Sequence, residues 1–175
     1  MRVLTSEAAA KSAGPIPAGY RQRWLKADNP EHVAMVQAFA DRSDPDDVEE
    51  AALDEMDSFD EHAINVLVVN DDVLVVDDDV LVPEGQAEQI VAYASAALWD
   101  WDADFADIGV RVDPDHRSKG LGTLVVAYTV AALQADGLLP LYRHGHHNPG
   151  SRRIAELIGF EVATTLWFFA PPTDR

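Results

Sequence analysis

The stretch "FADIGVRVDPDHRSKGLGTLVVAYTVAALQA", from Phe105 to Ala135, limits the fold of this chain more than any other. Its first part alternates, with Ile108, Val110 and Val112 on one face and Asp107, Gly109 and Arg111 on the other, which predicts a strand. Its last part, Leu121 to Ala135, reads as a helix stopped by Gly137. The turn between them holds Arg117, Lys119, Gly120 and Gly122. A glycine-containing turn that runs straight from strand to helix exposes successive backbone N–H groups at the positive helix end, a concavity that suits phosphate. Arg117 and Lys119 would add charge, and Gly120 and Gly122 would let an anion approach with no Cβ in the way. The competing reading is that the glycines only start a helix packed closely on its strand.

The remaining elements complete a layered pattern. "NPEHVAMVQAFADR" has Asn29 as a cap, Pro30 at the first helical position and a stripe of Val33, Val36, Phe39 and Ala40, which predicts an amphipathic helix. "DPDDVEEAALDEMDSFDEH" predicts a second helix with acids crowded into its first turn. The near-repeat from Val66 to Val82 reads as two or three short strands turned by Asn70-Asp71-Asp72 and Asp77-Asp78-Asp79, a hairpin. Gln89 to Trp101 predicts a further strand, and Leu138 to His144 another. "NPGSRRIAELIG" predicts a helix started by Asn148 and Pro149, buried through Ile154, Leu157 and Ile158, and ended by Gly159. "FEVATTLWFFAP" predicts a last strand. Helices, then antiparallel strands, then alternating strand and helix make an α+β, mixed α/β layer fold around one sheet. A single domain over 1–175 is expected, with 1–28 as a loose arm or an edge element.

Composition narrows the function. The formal charge of −18 repels nucleic acid and anionic lipid and attracts cationic small molecules or peptides. With no cysteine there is no disulfide framework and no thiolate chemistry. The longest uncharged stretch, Gly120 to Ala135, is shorter than the ~20 apolar residues of a membrane helix. Glu7 and Lys11 interrupt what would be the apolar core of a signal peptide. These features predict a soluble, cytoplasmic protein with neither a nucleic-acid nor a membrane partner. A homodimer stays open.

Two phosphate-binding loops fail at once. No Gly-x-x-x-x-Gly-Lys-Ser/Thr run exists, and a dinucleotide loop would need a third glycine where Val125 stands. What remains is Arg-x-x-Gly-x-Gly in "RSKGLG", Arg117 to Gly122, followed downstream by "NPGSRRIAELIGF" with Asn148, Ser151 and Gly159-Phe160. In these two ordered motifs the chain resembles the GNAT superfamily of acetyl-CoA-dependent N-acetyltransferases, over roughly Ile90 to Phe169. The resemblance implies a central, mostly antiparallel twisted sheet flanked by helices. It implies acetyl-CoA as co-substrate, with backbone groups of Val110, Arg111 and Val112 pairing with the pantetheine arm. The pyrophosphate would lie on amides of Arg117, Ser118, Lys119, Gly120, Leu121, Gly122 and Thr123. Asn148 would bond the pantetheine or thioester end, with Ser151 near it, although Asn148 also serves as a helix cap and Ser151 as a first-turn residue.

Acetyl transfer to an amine needs a base for the acceptor and an acid for the departing thiolate. The resemblance implies Asp107 as a base acting directly or through water; a solvated residue beside Arg111 is the competing reading. Many members carry a tyrosine acid seven residues beyond the equivalent of Asn148, where this chain has Ala155. The segment before Asn148 holds Tyr142, His144, His146 and His147, which leaves His147 first, His146 second and Ser151 as candidates for that proton, with no metal site expected. The implied activity is transfer of an acetyl group to a primary amine of a small molecule or peptide, most suitably a cationic one. A non-catalytic acyl-CoA-binding module of the same fold is the alternative.

Overall fold

The structure, a computed structural model, describes residues 2–3, 14–26, 29–42, 64–69, 75–76, 79–80, 89–99 and 102–165. The strands are β1 (Arg2–Val3), β2 (Tyr20–Leu25), β3 (Ile64–Val69), β4 (Val75–Val76), β5 (Asp79–Val80), β6 (Gln89–Trp99), β7 (Asp102–Val112), β8 (Leu139–Tyr142) and β9 (Glu161–Val162). The helices are α1 (Pro30–Arg42), α2 (Leu121–Ala135) and α3 (Pro149–Ile158), and a 3-10 turn spans Pro114–His116. The expected acidic helix within 44–62 and the turns of the valine-rich stretch lie outside the described residues.

Among the described residues, seven strands form one sheet in the order β2-β3-β6-β7-β8-β1-β9. Every neighbouring pair is antiparallel except β7 and β8, which run parallel because α2 crosses between them. The mixed α+β architecture with a mostly antiparallel sheet is the one the sequence predicts. Among the described residues β4 and β5 pair with each other as an expected hairpin does, but β3 does not join them and pairs instead with β2 and β6. Of the two readings of the segment 1–28, the edge element holds for Tyr20–Leu25, which is the edge strand, while Arg2–Val3 is hydrogen-bonded between β8 and β9. Strand pairing satisfies backbone groups in these polar, glycine- and proline-broken stretches whatever their side chains are.

The core lies on both faces of the sheet. On one, α2 is apolar nearly all round, from Leu121 through Val125, Val126, Ala127 and Val130 to Leu133, because β6 and β7 cover one side of it and α3 another. On the other, α1 packs Phe39 against Tyr93 with ring centroids 5.4 Å apart, beside Leu25 and Ile90. Residue Val91 of β6 is skipped in the ladder with β3, since Leu67 pairs with Ala92 and Val68 with Ile90. This bulge switches the parity of β6, so Ile90 and Tyr93 join the α1 side while Ala92, Ala94 and Ala96 face α2. In α1 the expected stripe is rotated: Val33 is 41% exposed and His32 is buried instead, because its Nδ1 accepts from Lys26 N at 2.9 Å where β2 ends.

Candidate active site

The parallel ladder sets the site. Phe105 pairs with Leu139, Ala106 with Pro140, Asp107 with Leu141 and Ile108 with Tyr142. There β8 ends, but β7 continues to Val112. The two strands form a fork whose apex is the Ile108–Tyr142 pair. Beyond it, β7 presents residues 109–112 along a side that β8 no longer covers.

A cavity of about 960 Å³ opens along this side. Its floor is Val110, Arg111 and Val112; one wall is the turn and the first residues of α2, and the other is His147 with the start of α3. The sequence-predicted residues Arg117, Ser118, Gly120, Leu121, Gly122, Thr123, Asn148 and Ser151 all line it. Lys119 does not; its Nζ donates to Asp115 O at 3.2 Å. Asp107 also lies outside the lining, on the paired part of β7.

Helix starts distinguish the cleft electrostatically. Asn29 Oδ1 accepts from Glu31 N at 2.9 Å, Asp113 Oδ1 from Asp115 N at 2.9 Å, and Asn148 Oδ1 from Ser151 N at 2.9 Å. The start of α2 has no such cap: Gly120 sits at φ 79° with no side-chain acceptor, and Leu124 N is the first amide to bond back, to Gly120 O at 3.1 Å. The amides of Leu121, Gly122 and Thr123 therefore lack intrahelical partners at the positive end of the helix, facing the cavity they line. Arg117, held by its Nε to Val112 O at 3.2 Å, and Arg153 of α3 add positive charge to the same walls. An anion of pyrophosphate type fits this donor set.

The catalytic candidates are dispersed. The Asp107 carboxylate accepts from the Arg143 guanidinium and is largely buried, while Arg143 is half exposed. His147 lines the cavity, with its ring edge-on to His146 at 5.4 Å between centroids. His144 turns instead toward Gly145 O, at 3.1 Å. Among the described residues, no three His, Asp or Glu side chains could share a metal ion. Asn148 uses its Oδ1 as the α3 cap, which leaves its amide NH₂ as the donor it can offer a ligand.

Sequence reasoning missed three features. Leu157, expected in the core, is 49% exposed and lines the cavity with Ile154 and Arg153, because α3 turns one apolar face to the core through Ala155 and Ile158 and a second to the cleft. His116 also lines the cavity, beside the N-terminal segment, where Tyr20 Oη and His116 Nδ1 are 3.2 Å apart. Tyr142 is buried, and burial pushes its phenol up to about 12 while the Ser151 side chain opposes the rise.

A profile described as the acetyltransferase (GNAT) family matches residues 33–160, most of the chain. The chain belongs to the GNAT acetyltransferase family. The acyl donor of the family is acetyl-CoA, and the uncapped α2 start fits a pyrophosphate of the kind that molecule carries. A mycothiol acetyltransferase of Nocardioides sp. is 37% identical over 62 residues, 35% of this chain and 21% of that protein, so the chain spans about a fifth of this curated relative. Solved GNAT structures share the fold. An aminoglycoside acetyltransferase from an uncultured soil metagenomic sample, solved with sisomicin, superposes with a TM-score of 0.56 at 10% identity, covering 89% of this chain and 97% of that one. YncA of Salmonella typhimurium, solved with its cofactor acetyl-CoA, gives 0.54 at 17% identity, with 83% and 82% covered. No helix among the described residues is long and apolar enough to cross a membrane.

Proposed function

We propose that this GNAT protein transfers the acetyl group of acetyl-CoA to a primary amine of a small molecule or peptide that is cationic in bulk water. The observation that carries the donor half is the uncapped start of α2 facing a cleft floored by the unpaired side of β7. In this reading the backbone of Val110 to Val112 takes the pantetheine arm as an added strand. The amides from Arg117 to Thr123 hold the pyrophosphate, and Asn148 bonds the arm through its amide. Strand N–H groups near Val110 supply donors for the developing oxyanion.

The acceptor half rests on charge. A field of −18 concentrates cations around the molecule, and an ammonium must lose a proton before it attacks. Asp107 is the base in this reading, once Arg143 releases it or through a water, while His147 and Ser151 serve the leaving sulfur. Aminoglycosides are polycationic amines, and the fold neighbour solved with sisomicin makes them a reasonable first acceptor set. A single domain spanning 1–175 and a cytoplasmic setting accompany this proposal.

Calorimetry with acetyl-CoA, followed by CoA-thiol release over a panel of aminoglycosides, polyamines and N-terminal peptides, tests it. Micromolar donor binding, amine-dependent release and a kcat/KM that falls with added salt are expected. Release confined to neutral or acidic acceptors would refute the cationic acceptor. Binding without release for any amine would favour the non-catalytic acyl-CoA module.

A further inference from the structure

The chain carries 31 Asp and Glu, yet among the described residues no carboxylate lines the cleft. Its ionisable lining groups are Arg111, His116, Arg117, His147 and Arg153, all of which carry positive charge when protonated. In a molecule of formal charge −18, this local exclusion of acid marks the cleft as a place for an anion. His116 stands outside the Arg117–Gly122 motif, and its ring is set from two directions. On the backbone side, Asp113 N donates to Val91 O at 2.8 Å and His116 N donates to Asp113 O at 2.9 Å, which pins the 3-10 turn to β6. On the side-chain side, Tyr20 Oη and His116 Nδ1 are 3.2 Å apart, and the two rings meet edge to face at 6.0 Å between centroids.

Tyr20 opens β2, with β3 and β6 lying between it and β7. The pairings Tyr20–Val69, Val69–Gln89 and Ala92–Val112 bring it to the end of the sheet where β7 stops and the turn begins. It is anchored there: Tyr20 and Ile16 pack against the α2 core, and Tyr128 Oη of α2 donates to Gly14 O at 3.5 Å. An imidazole whose Nδ1 accepts the phenol proton carries its own proton on Nε2, and an imidazolium carries one there as well. In both forms Nε2–H can donate, and it has no partner among the described residues. We propose that His116 donates from Nε2 to a phosphate oxygen of bound acetyl-CoA and that Tyr20 is the positioning residue that holds the ring for it. This rests on the acetyl-CoA reading of the cleft. Acetyl-CoA offers phosphate oxygens at its pyrophosphate and at its ribose phosphate, and both are acceptors of the same chemistry. Because the ring bridges the ligand and Tyr20, CoA binding and the seating of Gly14–Tyr20 favour each other by the same factor.

The experiment is calorimetry with CoA on wild type, His116→Phe, His116→Gln, Tyr20→Phe and the Tyr20→Phe/His116→Gln double variant, with thermal melts confirming that each is folded. His116→Phe keeps a ring against Tyr20 and removes both nitrogens; it should weaken CoA binding about tenfold. His116→Gln, whose amide can donate from about the place of Nε2, should stay within about threefold of wild type. Tyr20→Phe loses only the hydroxyl and should weaken binding about threefold when His116 is present, but not in the His116→Gln background. Exchange of the Tyr20 amide, which donates to Pro17 O at 3.2 Å, should slow on CoA binding in wild type and not in His116→Phe. Dephospho-CoA, which lacks the ribose phosphate, separates the two sources: a loss in His116→Phe that persists assigns His116 to the pyrophosphate, and one that vanishes assigns it to the ribose phosphate. Wild-type affinity in His116→Phe overturns the proposal and leaves the CoA reading standing. An equal effect of Tyr20→Phe in both backgrounds overturns the role of Tyr20, and failure of wild type to bind CoA overturns the CoA reading itself.

Discussion

Gly122 of α2 and Ile154 of α3 approach so closely that a Cβ on the glycine would stand 3.0 Å from Ile154 Cδ1 and 3.2 Å from Val112 Cγ2. The two walls of the cleft and its floor meet at this point. Gly122→Ala should push Ile154, whose side chain can yield, into the cavity. A modest loss of stability, about 1 kcal/mol, and a weakening of acetyl-CoA binding by about tenfold are expected from calorimetry and thermal melts. Unchanged affinity would mean that the α3 side chains bordering Gly122 do not bound the donor.

Gly120 is different, because a Cβ there meets nothing within 4 Å and its constraint is φ 79°. Gly120→Ala should cost about 1 kcal/mol through left-handed backbone strain, and Gly120→Asn less, since asparagine tolerates that region. Gly120→Glu adds a carboxylate beside the uncapped α2 amides. It should abolish acetyl-CoA binding, whereas Gly120→Asn should retain it to within about tenfold.

The Asp107–Arg143 pair separates stability from chemistry. Asp107 is largely buried, so Arg143→Ala, which leaves its carboxylate without that guanidinium, should cost more than the ~1 kcal/mol of an exposed pair. If Asp107 takes the acceptor proton, Asp107→Asn should lower kcat about a hundredfold, while Arg143→Ala, which removes the guanidinium from the carboxylate, should not lower it to that extent. Equal losses in both variants would assign the pair to acceptor binding or to local structure instead.

Tyr142 predicts alkaline behaviour of definite sign. An unfolded tyrosine ionises near pH 10, and in the fold burial raises this to about 12, so between these values the unfolded state binds fewer protons. The stabilising contribution of the neutral phenol is present below pH 10 and is lost as pH rises through 12, by roughly 2–3 kcal/mol in full. Tyr142→Phe should remove this part of the alkaline decline in denaturant melts taken between pH 9 and about 12.

The strand–turn–helix from Phe105 to Ala135 and the capped α3 were legible in the sequence because their signals are local. Side-chain alternation, a glycine at the start of one helix and Asn148-Pro149 at the start of the other act within a few residues, and the structure has α2 at Leu121–Ala135 and α3 at Pro149–Ile158. The cleft proposed for the donor rests on the same locality, since successive amides at a helix start need no distant partner to point one way. Other features depended on residues far apart in sequence. Arg2–Val3 became an internal strand because β8 and β9 offered unpaired edges, which no pattern in residues 1–20 announces. Leu157 reads as core on a helical wheel, yet it borders the cleft because two apolar faces of one helix can meet different surroundings. Asp107 drew Arg143, and Tyr142 came to pair with Ile108, only through the β7–β8 register. Local sequence sets which backbone groups are left unsatisfied; packing in three dimensions decides which side chains come to them.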